Sequence, residues 1–249
     1  AGKLFRAAVA AADPKLSVRR ELSKSPLEIK PEAKILVVAV GKAATLMAEE
    51  ALDHIPEGTP YKAIAITNYE NARKVVGCEV MAAGHPVPDE NGLKAARRVI
   101  KLLKSVDEND LVLMLISGGG SALLPAPQNG VSLQDKIRIN ELLLKGGYDI
   151  AETNMIRQQL SKIKGGGIRR LAPKSKIRSL IISDVIGDDL NVIASGPTAR
   201  PIGNKAQATD LLKCRGHWSL LPATVQNFLE SPDIKNVNTG EDLIINTLI

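Results

Sequence analysis

The chain has 249 residues, 44% of them hydrophobic and 24% charged, an ordinary globular composition with enough length to bury a sizeable core in one large domain or two small ones. A net charge of +6 favours anionic ligands, but aromatics at 2% give no stacking platform for single-stranded nucleic acid, and Lys and Arg form no continuous arm. Cys78 and Cys214 have no metal or redox spacing, no secretory signal opens the chain, and no apolar run reaches the ~18 residues of a membrane span. These features argue against nucleic-acid and membrane partners and point to a reducing, cytoplasmic setting.

In chain order, the Ala-rich segment Leu4 to Ala12 predicts a helix, Asp13-Pro14 ends it or starts the next turn, and Ser17 to Leu22 predicts a further helical turn. Ser23 to Ala33, with Pro26 and Pro31, reads as a linker. Lys34 to Val40 (KILVVAV), β-branched and unbroken, predicts the first strand. It leads into Gly41-Lys42-Ala43-Ala44 and a helix through Leu52. The GxxxxGK[ST] pattern is absent, which excludes a P-loop NTPase. Lys42 nevertheless falls at a strand's carboxyl end beside a helix start, where ligands bind in open α/β sheets.

Ala63 to Thr67 and Glu79 to Ala82 predict two short strands, with Asn68 to Gly77 as a polar connection. Gly84-His85-Pro86-Val87-Pro88-Asp89 follows, and Asp89 or Asn91 can cap a helix from Gly92 to Ser105. His85 is a candidate for substrate contact, with a structural role as the alternative. Leu111 to Ile116, apolar with no alternation, predicts a strand buried on both faces, and it stops at Ser117-Gly118-Gly119-Gly120-Ser121. Three glycines there allow main-chain N–H groups to approach a ligand, and a turn into a helix start suits an anion.

Ser132 to Leu144 predicts a capped helix with Leu133, Ile137 and Leu144 on one face, broken by Gly146-Gly147. From Ile150 onward a long helix is predicted, placing Asn154, Arg157, Ser161 and Lys164 one turn apart on a common stripe. Gly165-Gly166-Gly167 closes it and offers a second anion cradle. Ile177 to Ser183 predicts the next strand, with Asp184, Asp188 and Asp189 just past its end, where carboxylates hold Mg²⁺ or take a hydroxyl proton. Ser195-Gly196-Pro197-Thr198 is a tight turn, and Asp210 to Cys214 with Trp218 to Leu229 predicts two helices packing on the sheet. Leu243 to Ile249 is a closing apolar strand, with the look of a chain that continues.

This alternation predicts a doubly wound, mostly parallel Rossmann-like α/β sheet with helices on both faces. Lys42, Ser117–Ser121, Arg157–Lys164 and Asp184–Asp189 then meet as cationic, amide and carboxylate groups, the components of phosphoryl transfer. Open α/β sheets host many chemistries, so spacing alone supports this weakly.

Five stretches occur in order: VVAVGKAA, AAGHPVPDENG, LISGGGSALLPAP, NMIRQQLSKIKGGGI and LIISDVIGDDLNVIASGPT. Together they resemble the N-terminal domain of the class II glycerate kinases, from about Leu4 to the end of the chain. The resemblance implies phosphorylation of D-glycerate to 2-phosphoglycerate with ATP and Mg²⁺, in a family whose members are often labelled hydroxypyruvate reductases. It implies that Lys42 contacts the substrate or the transferred phosphoryl group and that the amides of Ser117, Gly118, Gly119, Gly120 and Ser121 surround an anion. Arg157 and Lys164 would hold phosphate or carboxylate oxygens. Asp184 would be the general base or a metal-linked carboxylate, with Asp188 and Asp189 as further metal candidates. Gln158 stands where the resemblance would put a second basic residue. The family's second, smaller MOFRL domain is absent from residues 1–249, so this span is expected to supply half of an interdomain site and to turn over little by itself. A homodimer is compatible with the sequence. Two other classes stay open: a hydroxypyruvate reductase-type oxidoreductase, although no strand is followed by GxGxxG with an acidic residue ~20 positions on, and a non-catalytic nucleotide- or anion-binding module.

Overall fold

Two adjacent strands, β1 (Ile35–Val40) and β4 (Leu111–Ile116), form the middle of the sheet and are buried at every position. The computed structural model describes residues 2, 12–232 and 243–249. Among them the remaining strands are β2 (Tyr61–Asn68), β3 (Glu79–Ala83), β5 (Lys176–Ile181) and β6 (Ile244–Leu248). All pair in parallel, in the order β3-β2-β1-β4-β5-β6. The doubly wound parallel sheet expected from the sequence is therefore present, and the closing apolar run forms its last strand.

The helices are α1 (Pro14–Lys24), α2 (Ala44–Leu52), α3 (Glu90–Leu103), α4 (Gly120–Leu123) and α5 (Leu133–Lys145), then α6 (Ile150–Gln159), α7 (Gly167–Leu171), α8 (Lys205–Cys214) and α9 (Ala223–Glu230). Alternate side chains of β1 and β4 leave the sheet on opposite faces, and each face has its own cover. Val37, Ala39, Leu113 and Leu115 pack under α1 and α2 through Val18, Leu22, Met47 and Ala51. Val38, Val40, Met114 and Ile116 pack under α3, α4 and α7 through Ala96, Val99, Leu123 and Ile168. That double cover is why both strands read as unbroken apolar runs.

Local chemistry fixes the helix starts. Asp13 accepts from Lys15 N at 2.8 Å and Leu16 N at 3.1 Å, so α1 spans a longer stretch than Ser17 to Leu22. Asp89 rather than Asn91 caps α3, accepting from Gly92 N at 2.8 Å. Ser132 with Asp135, and Asp149 with Glu152, close reciprocal capping boxes on α5 and α6. Arg178 of β5 ties α1 to the sheet through Glu21 at 3.1 Å and the Ser25 carbonyl at 2.6 Å.

Several expectations are corrected. The predicted helix over Leu4 to Ala12 lies outside the described residues except for Ala12, which is in a turn. α6 stops at Gln159 instead of continuing to Lys164. Beyond it Ser161 bridges Pro127, while Lys162 N donates to the Ala126 carbonyl at 2.9 Å, so the backbone pairs with another loop rather than with its own preceding turn. The buried face of α5 is Leu133, Lys136, Ile139 and Leu143; Leu144 points to solvent. α8 and α9 pack not on the sheet but on α5 and α6, in a third apolar cluster of Ile139, Leu143, Ile156, Ala208, Leu212, Val225 and Leu229.

Candidate active site

From the centre of the sheet the chain winds outward through β1, β2 and β3 on one side and through β4, β5 and β6 on the other. The loops leaving β1 and β4 therefore diverge and open a crevice at the carboxyl edge, the usual ligand position in such sheets. Lys42 follows β1, His85 follows β3, the triple glycine follows β4 and Asp184 follows β5, so one edge receives all four.

Close backbone approach holds the crevice together. Gly41 has φ +125°, and a Cβ there would run into the hydroxyl and carbonyl of Ser117, so only glycine lets the two loops touch. Lys42 N donates to the Gly118 carbonyl at 2.9 Å, and Ala43 N donates to Ser117 Oγ at 3.1 Å. The Ser117 side chain, expected to contact an anion, is buried and committed to this loop contact. A Cβ on Gly118 would collide with the Asp184 carboxylate. One on Gly119 would lie 3.1 Å from the His85 ring and 3.4 Å from Lys42 Cγ. The glycine turn is thus wedged between a carboxylate on one side and an imidazole with an ammonium stem on the other. Lys42 and Asp184 are both exposed, and neither side chain has a hydrogen-bond partner among the described residues.

The amides of Gly118, Gly119, Gly120 and Ser121 likewise have no acceptor among the described residues. Consecutive unpaired N–H groups at a helix start form an anion-binding concavity. Burial lowers the His85 pKa and the Lys42 ammonium lowers it further, against the opposing pull of Glu70 and Asp184. The ring is therefore neutral near pH 7 and offers one donor and one acceptor.

The other predicted residues are distributed differently. Lys164 is buried and donates from Nζ to Ser121 O at 2.8 Å and Ser121 Oγ at 2.5 Å. Ser121 Oγ also meets Ser195 Oγ at 3.0 Å, and Ser195 donates to Asn154 Oδ1 at 2.8 Å. Burial, with Lys136 and Arg157 nearby, pushes the Lys164 pKa well below the usual lysine value. Arg157 Nε donates to Asn140 Oδ1 at 2.7 Å. Gly165-Gly166-Gly167 is not a second anion cradle: Gly165 N and Gly166 N donate to the Ser195 and Gly196 carbonyls at 3.1 and 2.9 Å. Asp188 and Asp189 are exposed, and Asp189 Oδ1 accepts from Asn191 N at 2.8 Å and Asn191 Nδ2 at 3.0 Å. Among the described residues no three His, Cys, Asp or Glu side chains are grouped to hold a metal ion.

The structure gives two residues roles that the sequence did not show: Gln158, noted there only for the absence of a basic residue, and Lys136. Gln158 is buried, accepts from Ile202 N at 2.8 Å and donates to the Ser195 carbonyl at 3.3 Å, clamping the segment that follows Asp184. Lys136 is buried on the inner face of α5; a lysine three residues after Leu133 and three before Ile139 is the only sequence trace of it.

The family described as "Domain of unknown function (DUF4147)" matches residues 1–230. A Glycerate 2-kinase of Pyrococcus horikoshii is 37% identical over 92% of this chain and 52% of its own length. An Agrobacterium vitis protein with the provisional name hydroxypyruvate reductase is 41% identical over 84% of this chain and 47% of its own. The crystal structure of a glycerate kinase from Thermotoga maritima superposes with a TM-score of 0.88 at 34% identity, covering 99% of this chain and 57% of that one. The chain thus spans about half the length of the relatives it matches. On the family match the chain belongs to the DUF4147 family, and the relatives and solved structures it resembles include glycerate kinases.

Proposed function

We propose that the protein transfers the γ-phosphoryl group of ATP to the 2-hydroxyl of D-glycerate, with the crevice between the β1 and β4 loops as one wall of the site. The observation that carries this reading is the glycine turn seated between the Asp184 carboxylate and the His85 and Lys42 side chains. Phosphoryl transfer needs positioning and charge neutralisation more than covalent assistance. Asp184, exposed and without a donor of its own, is free to accept the proton of the attacking hydroxyl. The hydroxyl oxygen bonds to the γ-phosphorus as the bond to the β–γ bridging oxygen breaks, and ADP leaves. Lys42 sets a positive charge against the transferred group, and the Gly118–Ser121 amides hold its oxygens. Neutral His85 orients the acceptor by hydrogen bonding.

Mg²⁺, when bound, would neutralise charge on the nucleotide phosphates. Mg²⁺ sites of this kind use one or two carboxylates with substrate oxygens, and the unbonded Asp184 carboxylate fits that requirement. Asp188 also carries a side chain clear of internal hydrogen bonds, whereas Asp189 is engaged with its own turn.

A coupled assay for ADP release with D-glycerate, run on a longer product that carries this span, tests the reading. Asp184→Asn and Lys42→Met are each expected to lower kcat by about 10²- to 10⁴-fold while thermal stability holds, in the range of a lost general base or charge stabiliser. NADH oxidation by hydroxypyruvate in the same preparation, with no ADP formed from ATP and glycerate, would overturn it in favour of the oxidoreductase reading.

A further inference from the structure

The turn after β2, Tyr69–Asn71, brings no reacting group to the crevice, yet it stands between two loops that do. In the sheet β2 lies between β1 and β3, so its exit falls between the Lys42 loop and the His85 loop. On the β1 side, Gly41 N donates to the Ile66 carbonyl at 3.1 Å, and Thr45 Oγ1 donates to the Asn71 carbonyl at 3.3 Å. On the β3 side, the Tyr69 hydroxyl donates to Asp89 Oδ2 at 2.5 Å and accepts from Asn91 Nδ2 at 2.8 Å.

Asp89 therefore does more than cap α3. Its Oδ1 takes the Gly92 amide, which leaves Oδ2 for Tyr69. The same carboxylate lies against the start of the His85 loop: a Cβ on Gly84 would stand 3.0 Å from Asp89 Cγ and 3.1 Å from Oδ2. Burial works against its charge, but hydrogen bonds from Tyr69 and from the Gly92, Gly84 and Asn91 amides hold its pKa below the ordinary aspartate value. Gly84 and Asp89 bracket His85, so the bond between them closes the loop. Pro86 and Val87 at its tip are exposed, which leaves little packing to hold it from outside. The His85 ring borders Gly119, so any shift of the loop moves the imidazole along the glycine turn.

We propose that Tyr69 and Asp89 are positioning residues for the phosphoryl acceptor: phenol and carboxylate lock the His85 loop to the turn after β2, so that His85 and Lys42 keep a fixed spacing across the glycine turn. The assignment deepens the proposed kinase reading, on which its link to glycerate rests. Neither residue touches the reacting atoms; both act through His85.

Tyr69→Phe and Asp89→Asn, made in a longer product that carries this span, test this. Asparagine caps a helix as well as aspartate does, so Asp89→Asn keeps an acceptor for Gly92 while setting an amide donor against the phenol and the Gly84 amide. In both variants hydrogen–deuterium exchange across residues 84–89 should run roughly 3- to 10-fold faster, the factor for one lost hydrogen bond, with exchange across residues 93–103 unchanged. The KM for D-glycerate should rise by a similar factor while the KM for ATP stays at its wild-type value. Wild-type exchange across residues 84–89 in both variants would overturn the lock, and an unchanged glycerate KM despite faster exchange would overturn the positioning role. An equal rise in both KM values with a lower melting temperature would reduce Asp89 to a helix cap and overturn it too. Should Asp89→Asn not fold, the half-exposed Tyr69 decides alone, and wild-type exchange in Tyr69→Phe would refute the proposal. Because exchange needs no turnover, a loosened loop in a protein that phosphorylates no glycerate would refute the kinase reading and leave the lock itself standing.

Discussion

Gly118 and Gly119 do their work by lacking side chains. Each brings the β4 loop against a functional group closely enough that a single methyl would displace it. Gly118→Ala would push on the end of the exposed, flexible Asp184 side chain, so the fold should absorb it while the carboxylate moves. A displacement of about 1 Å at a reacting group costs on the order of 10²-fold in rate. Gly118→Ala should therefore lose about that much kcat with the melting temperature nearly unchanged. Gly41→Ala should behave differently, since its methyl meets the Ser117 backbone at φ +125° and the loops cannot separate without breaking the Lys42–Gly118 hydrogen bond. Urea unfolding should show a loss of about 1–3 kcal/mol for that variant, the range for a strained backbone position. Comparable stability loss in both variants would contradict this division.

At the level of elements, the end of α6 decides how the cations are placed. The pattern Asn154, Arg157, Ser161 and Lys164 fits a continuous helix, yet only the first two are helical. Pairing of residues 161 and 162 with the 126–127 loop turns the chain and delivers Lys164 to Ser121. Periodicity could not reveal this, because the competing partners, Pro127 for Ser161 and Ala126 for Lys162, are 34 and 36 residues away in sequence. Lys136 shows the energetic consequence. Burial, aided by Arg157, lowers its pKa to about 7, whereas the unfolded chain keeps the ordinary value. Between about pH 7 and the normal lysine range near 10.4 the unfolded state binds a proton that the folded state does not. Stability should therefore rise with pH across that window, by up to about 1.4 kcal/mol per pH unit from this group. Urea midpoints at pH 7 and pH 9 should show the rise, and Lys136→Met should shrink it to the part that Lys164, whose pKa is lowered as well, contributes. An identical slope in the variant would argue against a buried, unpaired Lys136.

Across the whole molecule, the described crevice is walled by the β1 and β4 loops, and the relatives are about twice as long as the stretch matched. We expect the rest of such a chain to supply the opposite wall, so residues 1–249 assayed alone should release ADP at a small fraction of the rate of a longer product. Equal rates would show that one wall suffices. The sheet was legible from the sequence because β1 and β4 carry their burial in their composition: a strand covered on both faces has no polar position to spare. The glycine turn and its neighbouring Lys42, His85 and Asp184 were legible too, since each follows an apolar run directly, and in a parallel sheet every strand ends on the same edge. The five ordered motifs sufficed to name the family. Only the tertiary structure decided which groups touch. Ser117 and Gly165–Gly166 proved to be loop ties, α8 and α9 joined α5 and α6, and Lys136 and Gln158 emerged as buried participants. Local sequence sets backbone preference and the side of an element that is apolar. Whether a hydroxyl, amide or ammonium is spent inside the protein or left for a ligand depends on partners brought up from distant parts of the chain, and that only the fold determines.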